Sequence, residues 1–429
     1  MEYKMKLTDD QRAILDGRDG ETMAKVMKTV VMFGDIFGAK KLVPVTHKDG
    51  HLVTSFGIAL MKPLFSTMDK LIEAGVTTEG KFTVDPRPLD YANVKCNLLE
   101  KIGFHVMYKK QALYEDQLTK VGLRDKDSFT CTCYLDEVGN KPKKGDVLSW
   151  AESSAVVFAN SVLGARCNRN SGMLDLFGSI VGYVPDFGLV TDEGRKASWK
   201  VYVKTTKKPE AQVLGSAIGM KVMEDVPYVY GLDKYIGNEL TDDAIAYLKD
   251  FGAATASNGA VGLYHIDGLT PEAREQGEAL VRPGAQEYII DDAELERVYK
   301  SYPVMWKNKD AKPGLCFIGC PHLTFKQLGD WTEKLEAALA ETGRKKVAVR
   351  TIMTTSPQVR AKFAAIETFG RLTKLGVKVT SICPLMYTNN PMTKGRAIIT
   401  NSNKLRTYSV ARYYMDDDIA RILSGREDA

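Results

Sequence analysis

Apolar and polar positions alternate along this chain in two periods, and the periods divide it. Thr8-Asp9-Asp10-Gln11 followed by Ala13, Ile14 and Leu15 predicts a capped helix start. Met23, Val26, Met27 and Val30 recur at helical spacing and predict a second helix over 21–33. Leu42 to Val45 predicts a strand that enters the loop Thr46 to Gly50, and 135–145 is rich in turn residues. Leu148 to Leu163 is apolar and small, as expected of a buried helix. Leu240 to Phe251 predicts a helix capped by Thr241-Asp242-Asp243. Pro271 to Ile290 predicts a polar, loop-rich excursion ending in a strand.

From about Gly314 the pattern changes to strands and helices in turn. Leu315 to Ile318, Lys346 to Ile352 and Val377 to Ile382 predict strands, with helices over Thr324 to Ala340 and Pro357 to Leu375 between them. This β-α-β-α-β run predicts a parallel sheet with right-handed crossovers. The fold class is therefore α/β, with several parallel-sheet units. We divide the chain into a region over 1–300, itself more than one subdomain, and a C-terminal α/β domain over 301–429. Ligands of such sheets gather beyond the carboxyl ends of the strands.

Composition narrows the function classes. At 429 residues, with 44% apolar and 26% charged residues, the chain is of ordinary globular make-up for two or three domains. The net charge of +5 is small, and no Lys/Arg block carries interleaved aromatics, which speaks against nucleic acid. The start of the chain lacks an apolar signal core, and no stretch approaches the roughly 18 apolar residues of a membrane span. A cytoplasmic protein is expected. There the seven cysteines are free thiols, metal ligands or catalytic groups.

Cys320 and Cys383 each stand just past a predicted strand of one sheet, and each is followed by proline. Cys131 precedes the turn-rich stretch, and Cys133 is an alternative to it. Three thiolates from three loops can hold an iron–sulfur cluster with one metal position open. Cysteine also packs often as a small buried hydrophobe, and Cys96, in a helical pattern, and Cys316, inside a strand, read that way.

The segment Trp150 to Arg169 is unusual. Its apolar body carries Ser153, Ser154, Asn160 and Arg166 near its ends. Glu152 begins it, where the helix dipole favours a negative charge. Arg166 and Arg169 suit bidentate binding of a carboxylate, with Asn168 between them. The alternative is a capped buried helix whose serines and asparagine satisfy backbone groups. His47, His265 and His322 stand near loops or strand ends, His322 beside Cys320.

Taken together these motifs resemble the aconitase X family. The resemblance rests on Ala151 to Val156, Gly164 to Arg169 and Gly319-Cys320-Pro321-His322-Leu323. It extends to Leu42 to Val45 with His47, Cys131-Thr132 with Tyr134, Gly259 to Val261 with Tyr264-His265, Thr354-Thr355-Ser356 and Thr400-Asn401-Ser402. It implies a dehydratase whose cluster sits on Cys131, Cys320 and Cys383 and receives the substrate hydroxyl. Glu152, Ser153, Ser154 and His322 become catalytic candidates. His47, Asn160, Arg166, Asn168, His265, Thr355, Ser356, Asn401 and Ser402 become substrate-binding candidates. The family's activities are dehydration of cis-3-hydroxy-L-proline and of mevalonate 5-phosphate. With no glycine-rich phosphate loop in the chain, the former is favoured.

The family also has a small swivelling domain that closes over the site, and neither end of this chain resembles it, so a small partner subunit is implied. The chain departs from the family's pattern at Cys133, where proline is usual, and at Cys167, where threonine is usual. The loop Cys383 to Asn390 also differs from the commoner forms. A cluster-sensing or RNA-binding regulator and a metal-free scaffold subunit are the rival classes.

Overall fold

The computed structural model describes residues 3–53, 58–389, 393 and 395–426. Asn390, at the end of the loop after Cys383, lies outside them. The structure is mixed α/β, and its two larger sheets are wholly parallel. One, of five strands, has the order Lys378–Thr380, Thr351–Thr355, Leu315–Leu323, Ile398–Thr400, Arg412–Tyr413. The other, of four, runs His265–Ile266, Pro227–Tyr230, Ala197–Val203, Val281–Ile290. A parallel pair joins Gly50–Leu52 to Phe82–Val84, and an antiparallel pair joins Leu42–Pro44 to Tyr183–Pro185.

Strand Leu315–Leu323 is buried along its whole length. Because side chains alternate across a sheet, Leu315 and Phe317 enter one apolar core while Cys316 and Ile318 enter the other. The first of these cores holds the N-terminal helices and the second surrounds the four-stranded sheet. The central strand is thus the seam between two lobes, and side chains at its carboxyl end reach both.

Local capping accounts for several helix boundaries. Thr8 and Gln11 form a reciprocal capping box before Asp9–Leu15, and Thr324 with Gln327 does the same before Phe325–Thr342. Thr241 caps Asp242–Asn258. The helix expected over 21–33 runs Glu21–Ile36.

Four local expectations are corrected. The apolar stretch Leu148 to Leu163 is helical only over Ser153–Ser161. Its first part runs extended, with Trp150 bridged to His51 and the Ala151 N–H bonded to the His51 carbonyl at 2.8 Å. Cys320 lies within a strand, not past one. The register sets Ile318 against Met353 and Leu323 against Thr355, so Gly319 to His322 stand opposite Thr354 alone. Gly319, at φ +107°, makes this bulge, which takes Pro321 out of the ladder and lets the strand resume beyond it. The helix expected over Pro357 to Leu375 is two, Pro357–Ala364 and Glu367–Lys374, parted where Ile366 is extended. Cys96 precedes the Asn97 cap of Leu98–Tyr108 and is not helical.

Candidate active site

A cavity of about 660 Å³ opens at the carboxyl end of the central strand. Cys131, Cys320 and Cys383 all line it, from the coil after helix Gln111–Val121, the central-strand bulge and the cap of helix Pro384–Thr388. Cys133 is fully buried in the apolar core and does not line it. None of the seven cysteines is in a disulfide.

His322 ties the three cysteine segments together. Its Nδ1 lies 2.9 Å from the Thr130 hydroxyl, next to Cys131. Its Nε2 lies 3.1 Å from the Ile382 carbonyl, next to Cys383, and its own N–H donates to the Cys131 sulfur at 3.4 Å. A carbonyl only accepts, so Nε2 carries the proton and Nδ1 accepts from the threonine. Burial keeps the ring neutral, with its pKa lowered to about 4. Both ring nitrogens are committed, so His322 orients the thiols and has no free nitrogen for proton transfer.

The floor of the cavity is charged. Glu152 caps helix Ser153–Ser161 from a φ of +143°, a backbone region that non-glycine residues rarely occupy. Its carboxylate accepts from the Ser154 hydroxyl at 2.6 Å and the Ala155 N–H at 2.7 Å. It also pairs with Lys404, from helix Asn403–Tyr408. Burial opposes ionisation of Glu152. Lys404 and these hydrogen bonds outweigh it and hold the carboxyl down at about 2. For Lys404 burial disfavours the charge, yet Glu152 first, then Cys320, Cys131 and Asp85, hold the ammonium protonated. The buried ammonium of Lys404 therefore stands among two carboxyl groups and two of the three site sulfurs.

Asp85 completes the floor with His51 buried behind it, and both went unrecognised in the sequence. With Glu152 they form a set whose ligand atoms all lie within 4.8 Å of one another. Glu152 is already bonded to Lys404, Ser154 and a backbone N–H, which leaves His51 and Asp85 open. His51 Nδ1 lies 2.8 Å from the Thr83 hydroxyl, while its Nε2 and Asp85 Oδ1, 4.0 Å apart, are buried with no partner. Burial, then the charge of Glu152, pushes the Asp85 carboxyl well above the usual range. The only signal in the sequence was Asp85-Pro86 ending a short apolar run. Lys404 had a clearer one, four residues after Thr400 in a segment already singled out.

Ser153 lines the cavity, and Ser154 reaches it through Glu152 and through Lys404, whose ammonium donates to its hydroxyl at 3.3 Å. Arg169 also lines it, exposed to the opening, with Tyr408 beside it. Arg166 points elsewhere, to the Val190 carbonyl at 2.9 Å and to Asp192. The other substrate-binding candidates do not line the cavity, and each has a structural partner. His47 bonds Asn140 at 2.8 Å, and His265 bonds the Arg195 carbonyl at 2.8 Å. Asn160 donates to the Cys167 and Gly262 carbonyls, and Asn168 to that of Phe187. Thr355 donates to the Leu323 carbonyl, Ser356 caps the next helix, and Asn401 donates to Asp416. Ser402 donates to the Cys320 carbonyl and accepts from the Leu405 N–H at 3.1 Å, so it braces the bulge from behind.

Three sulfurs, a buried ammonium and an open guanidinium thus surround one cavity. Sequence models of the first, second and third domains of aconitase X match residues 4–193, 197–300 and 313–417. The chain belongs to the aconitase X family. It is 33% identical over 335 residues to a Thermococcus kodakarensis protein named phosphomevalonate dehydratase large subunit, the match covering 77% of each chain. It is 28% identical over 406 residues to the Pseudomonas aeruginosa cis-3-hydroxy-L-proline dehydratase. That match covers 93% of this chain but only 65% of the Pseudomonas protein. The crystal structure of Thermococcus kodakaraensis aconitase X in its holo-form superposes with a TM-score of 0.80 at 29% identity, covering 97% of this chain and 99% of that one. The aconitase X relatives are dehydratases, and this chain is a hydro-lyase of their kind. Among the described residues no helix is long and apolar enough to cross a membrane.

Proposed function

We propose that this chain is the larger part of a two-chain cytoplasmic dehydratase that removes water from a small hydroxy acid, with cis-3-hydroxy-L-proline as the substrate that best suits the cavity. The observation that carries the reading is the convergence of three thiols from distant segments on one cavity, braced by one histidine. This donor set fits an iron–sulfur cluster. The sulfurs line a shared space, are free of disulfides, and have a buried ammonium beside them to offset thiolate charge. Cys131, Cys320 and Cys383 would hold the cluster, which supplies a Lewis acid for the leaving hydroxyl.

The chain's own residues bind and orient. Arg169, at the opening, offers a planar fork to the substrate carboxylate. Glu152 and Ser154 fix Lys404, whose charge steadies the anionic floor. Asp85, on the cavity floor with the unpartnered Nε2 of His51 behind it, suits a substrate imino or hydroxyl group. One open guanidinium beside acidic groups suits an imino acid better than a doubly charged phosphate. A second reading, mevalonate 5-phosphate, has its own support in the relatives named phosphomevalonate dehydratase large subunit. Free thiols at all seven cysteines accord with the reducing cytoplasm.

The partner supplies the remaining cover and the proton acceptor that the family keeps on its small domain. The test is an anaerobic preparation assayed with both substrates, with and without the small subunit, alongside Cys→Ser variants at 131, 320 and 383. Each variant should lose the charge-transfer absorbance, whereas Cys96→Ser should keep it. Full iron and sulfide content in all three variants would remove the assignment.

A further inference from the structure

Helix Leu98–Tyr108 is apolar on both of its faces. Its inward face carries Glu100, Phe104 and Tyr108, and its outward face carries Leu98, Leu99, Ile102 and Val106. Those four side chains are between 54% and 74% exposed, and Leu60, on the short turn packed against this helix, is 73% exposed. A helix at a water-facing surface normally keeps its outward face polar. Here the carboxylate of Glu100 is buried against Arg396 at 2.7 Å while leucine and isoleucine meet solvent. Scattered exposed leucines need no explanation, but a contiguous helical stripe marks an interaction face.

We propose that this stripe, with Leu60, is the docking surface for the smaller second polypeptide of the enzyme. The proposal rests on the two-chain reading above. Two observations select that occupant. First, the Pseudomonas dehydratase carries about a third of its length beyond its match to this chain, and the Thermococcus relative is named a large subunit. Second, the inward face of the helix rests on the cavity wall. Phe104 packs against Tyr387 at 5.1 Å and the Tyr108 hydroxyl donates to the Met386 carbonyl at 3.3 Å. Pro384, Leu385 and Met386 of that segment line the cavity. The stripe is therefore one helix removed from the cavity wall, and a polypeptide seated on it bears on the segment that carries Cys383.

Charge defines the fit. Over 95–110 the only carboxylate, Glu100, is buried, while Lys95, Lys101 and Lys109 are exposed around the stripe. The matching surface is an apolar ridge with an acidic rim, the usual anatomy of a stable interface.

The probe is the purified small-subunit homologue from the same genome, titrated against the cluster-loaded chain. Leu99→Glu and Ile102→Lys lie on the exposed face and leave the fold and cluster absorbance intact. Each should weaken the complex roughly thirtyfold or more, as loss of a central anchor does. Ile289→Lys, exposed on the four-stranded sheet, should leave it unchanged. Wild-type affinity in both stripe variants would overturn the surface while leaving the two-chain reading in place. If the chain alone is a dimer that Ile102→Lys makes monomeric, the occupant is a second copy and the proposal fails. A fully active isolated chain that binds no small subunit would remove the two-chain reading itself.

Discussion

Among the described residues, the buried pairs Arg195–Glu272 and Lys404–Glu152 are built differently. In the lobe of the four-stranded sheet Arg195, 1% exposed, meets Glu272 through two parallel bonds of 2.7 and 2.8 Å. Its other donors go to the Asn160 carbonyl, the Leu189 carbonyl and the Asn160 side chain. At the cavity, Lys404 meets Glu152 with the sulfurs and Asp85 close by, and two neighbouring polar atoms have no partner. The first pair is closed, with every donor satisfied, as a structural pair must be to offset its desolvation. The second is open on one side, leaving polar groups for a ligand to satisfy. Full satisfaction marks a brace, and buried but unsatisfied groups around a cavity mark a site.

The largest effect tests the brace. Glu272→Ala strands a buried guanidinium and should cost about 3–5 kcal/mol of stability. Denaturant unfolding measures it, and the cluster spectrum of the folded fraction should be normal. Lys404→Met tests the open pair. It should lower turnover by about 10²–10³, as loss of a preorganised charge does, while depressing the melting temperature less than Glu272→Ala. If the two variants exchange these signatures, the contrast between the pairs is wrong.

Next come the two arginines named together from the sequence. Arg169→Ala should raise KM for the carboxylate substrate by tenfold or more, about 1.5–3 kcal/mol for a charged hydrogen bond. Arg166→Ala removes a pair whose Asp192 partner is 86% exposed, so the loss should stay under about 1 kcal/mol with KM near normal. Equal effects on KM would put both at the cavity.

The smallest effect compares the regions by pH. His51, by the cavity, and His265, by the brace, are both kept neutral by burial, each with its pKa lowered to about 4. In the unfolded chain they titrate near 6.5, so between these values the unfolded state binds protons that the native state refuses. The stability is full above about 6.5 and falls as pH drops towards 4, by about 1.4 kcal/mol per histidine for each pH unit. Unfolding at pH 7, 5.5 and 4.5 measures the slope, and His265→Gln should reduce it. A slope unchanged by that variant would show that His265 is already protonated in the native state.

Much of this was legible along the chain. The capped helix starts at Thr8 and Thr241, the parallel βαβ run and the three cysteines depend on residues within a few positions of one another, or on family motifs. Most of the polar candidates around those motifs were harder to sort. A threonine or asparagine that satisfies a neighbouring backbone group, as Thr355 and Asn168 do, looks in sequence like one that meets a substrate. Arg166 and Arg169 are three positions apart and chemically identical, yet only Arg169 lines the cavity.

Local composition sets the helix caps, the strand period and the family motifs, because each is governed by short-range sterics and hydrogen bonding. The meeting of His51, Asp85, Glu152 and Lys404 spans most of the chain and depends on how two lobes pack along one central strand. The bulge at Gly319 depends on Thr354 in the neighbouring strand and Ser402 behind it. No pattern within either segment records that contact, so folding alone settled which charges share the cavity and which brace the lobe behind it.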